Sequence, residues 1–250
     1  MAGHSKWKQI KRQKAVVDAR RGTLFTKLGR EITMAAKAGG GDPDANARLR
    51  LAVLKARDNN MPMDIIERAI AKATGGADAS QLDEIVYEGY APGGTAVMVE
   101  AVTDNRNRTV AEVRNVFNRS GGSLGETGSV AWQFNTRGVI TLDLTSGTDG
   151  EEVALVAIDA GAEDFSVEED SVSIYTRPED LDSVRLALVE AGQEPASAEI
   201  ERVPTLTITL EERDALQTLK LLDKLEDLDD VQKVYSNADF PEEVLAAYSG

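Results

Sequence analysis

The sequence contains no cysteine and only one histidine, and both shortages exclude whole classes of function. Without cysteine there are no disulfides, thiolate nucleophiles, iron–sulfur ligands or sulfur-dependent zinc sites. His4 alone cannot form a multi-histidine metal site, and a Ser-His-Asp triad would have to recruit this one terminal residue. No Gly-x-Ser-x-Gly elbow is present. We therefore expect no enzymatic activity, no metal and no cofactor.

Long apolar runs are also missing. A membrane-spanning helix needs about 20 consecutive apolar residues, whereas the longest unbroken apolar run here extends from Val153 to Ile158. The N-terminus has the cations of a signal peptide but no apolar stretch behind them. The sequence therefore predicts no membrane partner and a cytoplasmic location.

Positive charge is scarce overall but concentrated at one end of the 250 residues. The net charge is −15, a value that by itself argues against a nucleic-acid partner. Residues 1–75, however, carry 16 Lys plus Arg against 7 Asp plus Glu, and the remainder carries 12 against 36. Such asymmetry suggests that one basic region meets an anionic partner. We interpret the acidic remainder as a solvated surface.

Hydrophobic periodicity predicts helices first and mixed structure afterwards. Residues 1–75 indicate helices at about 6–20, 24–38, 45–58 and from 61 onwards. After residue 82 the pattern becomes a hairpin followed by a helix at 106–119. Residues 138–203 then follow a β-α-β-β-α-β order, which is the pattern of ferredoxin-like domains. Further strands are predicted at 130–134 and 205–210.

These elements predict a multidomain α+β protein with an N-terminal helical bundle and two α/β domains. The hairpin and helix of the first α/β segment are incomplete, and the helix and strands after residue 204 can complete them. The last domain, which is ferredoxin-like, is therefore expected to be inserted in the middle one. The predicted boundaries are 1–78 for the basic helical domain, 79–134 with 204–250 for the discontinuous α/β domain, and 135–203 for the inserted one.

The N-terminal basic stretch is the first candidate for a nucleic-acid contact. Its cations have few carboxylates to offset them, so their repulsion weakens the local fold unless an anionic partner binds. Trp7 lies between two lysines, and an aromatic side chain among cations suits base stacking. A solubilising arm with Trp7 packed on the bundle is the open alternative. The candidate residues are Lys6, Trp7, Lys8, Lys11, Arg12, Lys14, Arg20, Arg21, Lys27 and Arg30.

The second candidate is the segment TDNRNRT at 103–109. Arg106 and Arg108 fall in the first turn of the predicted helix, where the helix dipole disfavours cations. Asp104 is expected to cap this helix. The placement favours a phosphate or RNA contact, and pairing with the abundant carboxylates of the chain is the open alternative. The glycine-rich stretch at 121–129 lacks the ending of a P-loop and is predicted to be a tight helix-to-strand connection.

Six distinctive motifs follow one another along the chain: MAGHSKW at 1–7, GGGDP at 39–43, NMP at 60–62, YEGYAPGG at 87–94, TDNRNRT at 103–109 and GGSLGETGSV at 121–130. Taken together, these motifs resemble the YebC/PmpR family. The resemblance implies three domains with a discontinuous middle one, and a cytoplasmic, non-enzymatic protein usually described as a probable transcriptional regulator that binds promoter DNA. It also implies that the basic arm with Trp7 and the Arg106/Arg108 turn contact nucleic acid.

Two partners stay open at this point. Promoter DNA is what the family description favours, although no helix-turn-helix with a polar, basic recognition helix is visible. Ribosomal RNA on the ribosome is the alternative, because other family members act in translation and ease synthesis of proline-rich stretches. A cationic arm beside acidic domains also suits recognition of folded RNA by shape and phosphate. A protein-interaction scaffold is a third possibility, and the sequence does not specify an oligomeric state.

Overall fold

The structure is a computed structural model that describes residues 21–75, 81–144, 149–168 and 170–249. These residues form a mixed α+β protein with α-helices and several mainly antiparallel sheets. They divide into two compact units. Unit 1 contains the described residues up to 134 and from 204 onwards, and unit 2 contains those from 135 to 203. The helix predicted at 6–20 lies outside the described residues.

Unit 1 begins with three helices that share an apolar core. Asn46 fixes the turn between the first two, because its Oδ1 accepts the amide of Leu49 at 3.1 Å and its Nδ2 donates to the carbonyl of Ala35 at 2.9 Å. Gly39 leaves room for this side chain, since a Cβ there would lie 2.7 Å from Nδ2. Leu28, Ile32, Leu49 and Ile66 are fully buried between the helices. The helices are α1 (Arg21–Gly39), α2 (Ala47–Asp58) and α3 (Met63–Thr74).

The rest of unit 1 contains a four-stranded sheet covered on one face by helices, together with a short two-stranded parallel sheet. Strand order is β3-β1-β2-β9, and each neighbouring pair is antiparallel. Val99, Val113, Phe117 and Leu222 are fully buried between the sheet and the helices. The elements are β1 (Asp83–Tyr90), β2 (Ala96–Thr103), α4 (Arg106–Arg119), β3 (Ser123–Leu124), β8 (Ile208–Thr209), α7 (Glu212–Glu226), β9 (Val231–Ser236), β10 (Ala238–Asp239) and α8 (Glu242–Ser249).

A buried carboxylate holds the glycine-rich connection against this sheet. Glu88 of β1 accepts the amides of Gly128, Val130 and Ala131 at 2.7 to 2.8 Å. Burial by itself raises the pKa of Glu88, but the three amide hydrogen bonds outweigh it and leave the pKa below its ordinary value. Gly122 allows the close approach, since a Cβ there would lie 2.6 Å from the carbonyl oxygen of Tyr90. The stretch is therefore a helix-to-strand connection held in place by Glu88.

Unit 2 contains one four-stranded sheet and two helices in the order β-α-β-β-α-β. The strand order across the sheet is β5-β6-β4-β7, and β6 pairs antiparallel with both of its neighbours. Ile140, Ile174, Val184 and Leu188 are fully buried. The elements are β4 (Phe134–Asp143), α5 (Gly150–Asp159), β5 (Asp164–Val167), β6 (Ser171–Thr176), α6 (Leu181–Glu190) and β7 (Ser197–Pro204).

Two strand predictions are wrong in detail. Residues 131–133 form a short 3₁₀ turn, and one strand then begins at Phe134. The amides of Val130 and Ala131 bond to Glu88 and not to a neighbouring strand, which prevents a strand from forming there. The strand predicted at 205–210 is reduced to Ile208–Thr209. Among the described helices, none is long and apolar enough to cross a membrane.

Candidate nucleic-acid interface

The structure describes only some of the predicted contact residues. Lys27, Arg30, Arg106 and Arg108 have described side chains, and Arg21 is the first residue of α1. The remaining members of the basic stretch lie outside the described residues: Lys6, Trp7, Lys8, Lys11, Arg12, Lys14 and Arg20. For these, and for Arg21, the nucleic-acid contact stays a prediction.

Two of the described arginines meet at one buried carboxylate. Asp230 lies directly before β9 and is 2% exposed. Its Oδ1 accepts Arg30 Nη1 at 2.8 Å, and its Oδ2 accepts Arg108 Nη2 at 2.7 Å. The hydroxyls of Thr103 and Thr109 donate to the same Oδ2 at 3.0 and 2.7 Å. Asp230 is thus the centre of a hydrogen-bonded ion cluster, which we call the Asp230 cluster and define by these five residues.

The Asp230 cluster is strongly biased towards the ionised carboxylate. Burial raises the pKa of Asp230, but hydrogen bonds from Arg108, Thr109 and Thr103 and the charge of Arg30 reverse this effect and lower the pKa to about 2. The carboxylate is therefore charged at neutral pH. Its charge compensates the two guanidinium groups within the protein.

The middle of α1 is attached to the end of α7 and the connection between α7 and β9. Arg30 Nη1 donates not only to Asp230 but also to the carbonyl oxygens of Asp229 at 2.7 Å and Val102 at 3.2 Å. One turn earlier, Lys27 donates to the carbonyl oxygen of Glu226. These contacts fix α1 to the α/β part of unit 1. The predicted basic arm is therefore covalently joined, at residue 21, to an anchored helix.

Arg106 and the predicted helix cap behave differently from Arg108. Arg106 Nε donates to Asp83 Oδ2 at 3.0 Å, in an ion pair with both side chains largely exposed. The cap is Asn105, whose side chain accepts the amide of Arg108 at 3.1 Å, so the expectation that Asp104 caps the helix is wrong. Asp104 accepts Arg108 Nη2 at 2.9 Å. Both first-turn arginines thus have carboxylate partners inside unit 1.

Sequence reasoning identified these arginines but missed their partners. Asp230 is one of 36 carboxylate residues after position 75, and it lies more than a hundred residues from Arg108 along the chain. Nothing in the local sequence of Asp230 distinguishes it from its acidic neighbours. Only the hydroxyls of Thr103 and Thr109, which bracket the helix start, signal a nearby acceptor.

The described members of the site form ionic contacts with one another. Its members are guanidinium, ammonium, hydroxyl and carboxylate groups that are already hydrogen bonded to one another. Over the described ranges, no group of three or more acidic or histidine side chains could hold a metal ion. What the geometry supports is an anchored, basic helical segment beside an acidic α/β protein.

These features define the class: an α+β protein with a basic N-terminal helical part. The chain belongs to the TACO1/YebC family. Residues 5–76 match the model of the TACO1/YebC protein N-terminal domain, and residues 82–238 match that of the TACO1/YebC second and third domain.

Curated relatives share the whole length of the chain. A protein of Thermomicrobium roseum is 58% identical over 99% of this chain and 100% of its own length. One of Dehalococcoides mccartyi is 56% identical over 99% and 98%, respectively. Both are described as probable transcriptional regulatory proteins. The crystal structure of a conserved hypothetical protein from Aquifex aeolicus superposes with a TM-score of 0.85 at 47% identity, covering 92% of this chain and 95% of that one.

Proposed function

We propose that this chain is a non-enzymatic regulator of gene expression that binds promoter DNA through its N-terminal basic residues. The observation that carries the proposal is the charge division: residues 1–75 hold 16 of the 28 cations of a chain whose net charge is −15. Cations on phosphates release condensed counterions, which supplies most of the affinity for DNA. The relatives described as transcriptional regulatory proteins support the same function. A cytoplasmic location stays a prediction.

The anchoring of α1 gives this proposal a physical basis. Most of the α/β surface is acidic and repels a polyanion, which favours an approach to DNA through the basic end. Lys27 and Arg30 tie α1 to the α/β part of unit 1, so the sequence that precedes Arg21 is joined to an anchored helix. We assign the phosphate contacts to Lys6, Lys8, Lys11, Arg12, Lys14, Arg20 and Arg21, and base stacking to Trp7. Four further residues would contact nucleic acid in addition to their partners within the protein: Lys27, Arg30, Arg106 and Arg108.

The proposed domain organisation is the one predicted from the sequence. In it the helical domain comes first, and the ferredoxin-like domain interrupts the α/β domain formed by 79–134 and 204–250. The strand order β5-β6-β4-β7 supports the ferredoxin-like assignment, because the first and last strands of the β-α-β-β-α-β order, β4 and β7, are neighbours and the third strand, β6, lies on the other side of β4.

The binding experiment compares charge reversal with charge conservation in the arm. Lys8→Glu, Lys11→Glu and Arg12→Glu together should abolish binding to a labelled DNA duplex, measured by fluorescence anisotropy at low salt. The matched control, Lys8→Arg with Lys11→Arg and Arg12→Lys, keeps the charge and should bind as the wild type does. Wild-type binding should also weaken steeply as salt increases. Unchanged binding by the reversed variant would contradict the assignment of the arm.

A second experiment identifies the partner in cells. Crosslinking in growing cells, followed by sequencing of all DNA and RNA recovered with the protein, should yield discrete promoter peaks. Recovery concentrated in ribosomal RNA, with promoter DNA at background, would contradict the proposed function and identify the ribosome as the target.

A further inference from the structure

Outside the basic end, positive charge is concentrated on two neighbouring helices. After residue 75 the chain has 12 Lys plus Arg, and seven of them lie in α4 and α7. The outward face of α4 carries Arg114, Asn115, Asn118 and Arg119, all exposed. The outward face of α7 carries residues at helical spacing, also exposed: Arg213, Gln217, Lys220 and Lys224. We call these eight residues the two-helix surface.

The two stripes lie side by side because the helices are antiparallel neighbours on the sheet. The C-terminal end of α4 is close to the middle of α7, since a Cβ on Gly121 would lie 3.9 Å from Gln217 Oε1. The start of α4 contacts the segment after α7 through Arg108 and Asp230. Phe117 and Leu221 are fully buried in the core that the two helices share. The apolar faces are thus used for packing, and the polar faces are left to solvent.

The carboxylates of the two helices do not neutralise this surface. Glu112 is the single carboxylate in α4, against four arginines. In α7, four carboxylates stand against three cations. Glu212 and Asp214 belong to the first turn, where Asp214 pairs with Arg213 at 3.4 Å, Asp223 accepts the hydroxyl of Tyr248 at 2.5 Å, and Glu226 is the last residue of the helix. Within the described part of the chain, Arg114, Arg119, Lys220 and Lys224 form no ion pair. Unpaired cations that repel one another in an acidic protein favour an anionic partner.

The residue types favour a DNA duplex over other polyanions. Arginine binds guanine and asparagine binds adenine by bidentate contacts in the major groove, which is wide enough to admit a helix. The major groove of an RNA helix is too deep and narrow for side chains to read. The 14 residues of α4 extend over about 21 Å. An exposed helix face with two asparagines between two arginines therefore matches a major groove.

We propose that the two-helix surface is a second contact with duplex DNA, with α4 facing the major groove and the lysines of α7 on the flanking phosphates. The proposal rests on the proposed function and adds the site from which sequence would be read. The arm supplies affinity for any duplex, whereas Arg114, Asn115 and Asn118 supply contacts with base edges.

The test removes charge from this surface in the full-length protein. Arg114→Gln with Lys220→Gln should lower affinity for a fluorescein-labelled, mixed-sequence DNA duplex by about tenfold and reduce the slope of log affinity against log salt by about 2. Arg177→Gln with Arg202→Gln removes the same charge from unit 2 and should leave both quantities near the wild-type values. Circular dichroism checks that both variants are folded.

A crosslinking measurement tests the same contact by proximity, so its result does not depend on whether a substitution changes the stability of the protein. Because the chain has no cysteine, Asn118→Cys introduces a unique attachment point for a photoactivated crosslinker. We expect a covalent adduct with the duplex from this position and only background from Leu155→Cys, an exposed position in unit 2.

The outcomes separate this inference from the function on which it rests. If the wild type binds the duplex but Arg114→Gln with Lys220→Gln binds equally well, the second contact is wrong and the arm alone binds DNA. If Arg177→Gln with Arg202→Gln weakens binding as much, the effect reflects net charge and the assignment of the contact to the two-helix surface is wrong. If the wild type binds a structured RNA of the same sequence but not the duplex, both the proposed function and this inference fail.

Discussion

The two halves of helix α4 use arginine in opposite ways. At its start, Arg106 and Arg108 bond to Asp83 and to Asp230, and the charge of Arg108 is compensated at a buried carboxylate. Two turns later, Arg114 and Arg119 are exposed and without an ion-pair partner among described residues. The same residue type thus serves the fold at one end and is available to a ligand at the other. A cation in the first turn of a helix is therefore no guide to a ligand until its partners are known.

Removing the carboxylate of the Asp230 cluster should cause the largest loss in the free energy of unfolding, because it supports the paired arginine at the start of α4, Arg108. Asp230→Asn leaves Arg30 and Arg108 without their charged acceptor, and breaking a buried ion pair on one side costs about 3 kcal/mol or more. We expect this loss in the free energy of unfolding measured with urea. Asp229→Asn, at the exposed neighbouring position, should change stability by less than about 0.5 kcal/mol. If Asp230→Asn changed stability as little as Asp229→Asn is expected to, the cluster would contribute nothing to stability.

Acid should erase the protonation-linked part of this stabilisation in the wild type. The pKa of Asp230 is lowered to about 2 in the folded protein, so its contribution is complete above the unfolded pKa near 4 and is lost as the pH falls through about 2. Allowing for solvent screening at half-exposed Arg108, this amounts to about 1–2 kcal/mol. The stability difference between wild type and Asp230→Asn should therefore shrink as the pH is lowered from about 5 towards 2. A pH-independent difference would contradict the ionic origin.

The two ends of α4 can be compared directly with matched substitutions. Arg108→Gln should lower Tm by a few degrees, because Asp230 loses a charged donor. Arg114→Gln should leave Tm almost unchanged, because that side chain contacts solvent. Thermal unfolding followed by circular dichroism at neutral pH measures both. A larger loss for Arg114→Gln would mean that the exposed half of the helix is structural.

Replacing Arg106 should change Tm by an amount between those for Arg108 and Arg114, and closer to that for Arg114. Its ion pair with Asp83 is exposed, and exposed pairs contribute little to stability. Arg106→Gln should therefore change Tm by no more than about 2 °C, and added salt should reduce the difference further. A shift as large as that of Arg108→Gln would place Arg106 with the cluster.

Local patterns predicted much of the fold, because they depend on neighbours in sequence. The bounds of α4 at 106–119 and the burial of Val113 and Phe117 follow from helical periodicity. The exposed stripe of the same helix was readable in the same way, since Arg114 and Asn118 occupy the opposite face.

Contacts between distant residues could not be predicted. Asp230 and Glu88 are ordinary acidic residues in an acidic sequence, and their partners are identified only by folding. The amides that bond to Glu88 prevented the strand expected at 130–134, which alternation alone had suggested. Buried carboxylates thus decide both the shape of the glycine-rich connection and the role of the first-turn arginines.

The hydrogen bond between the amide of Thr205 and the carbonyl of Gln133, 2.8 Å long, has an evolutionary consequence. It joins the two points of unit 1 between which the chain leaves for unit 2 and returns. Because one backbone hydrogen bond joins these points, a tight turn is long enough to connect them. The intervening segment is therefore of the kind that can be acquired, exchanged or deleted by recombination while the surrounding fold keeps its connectivity.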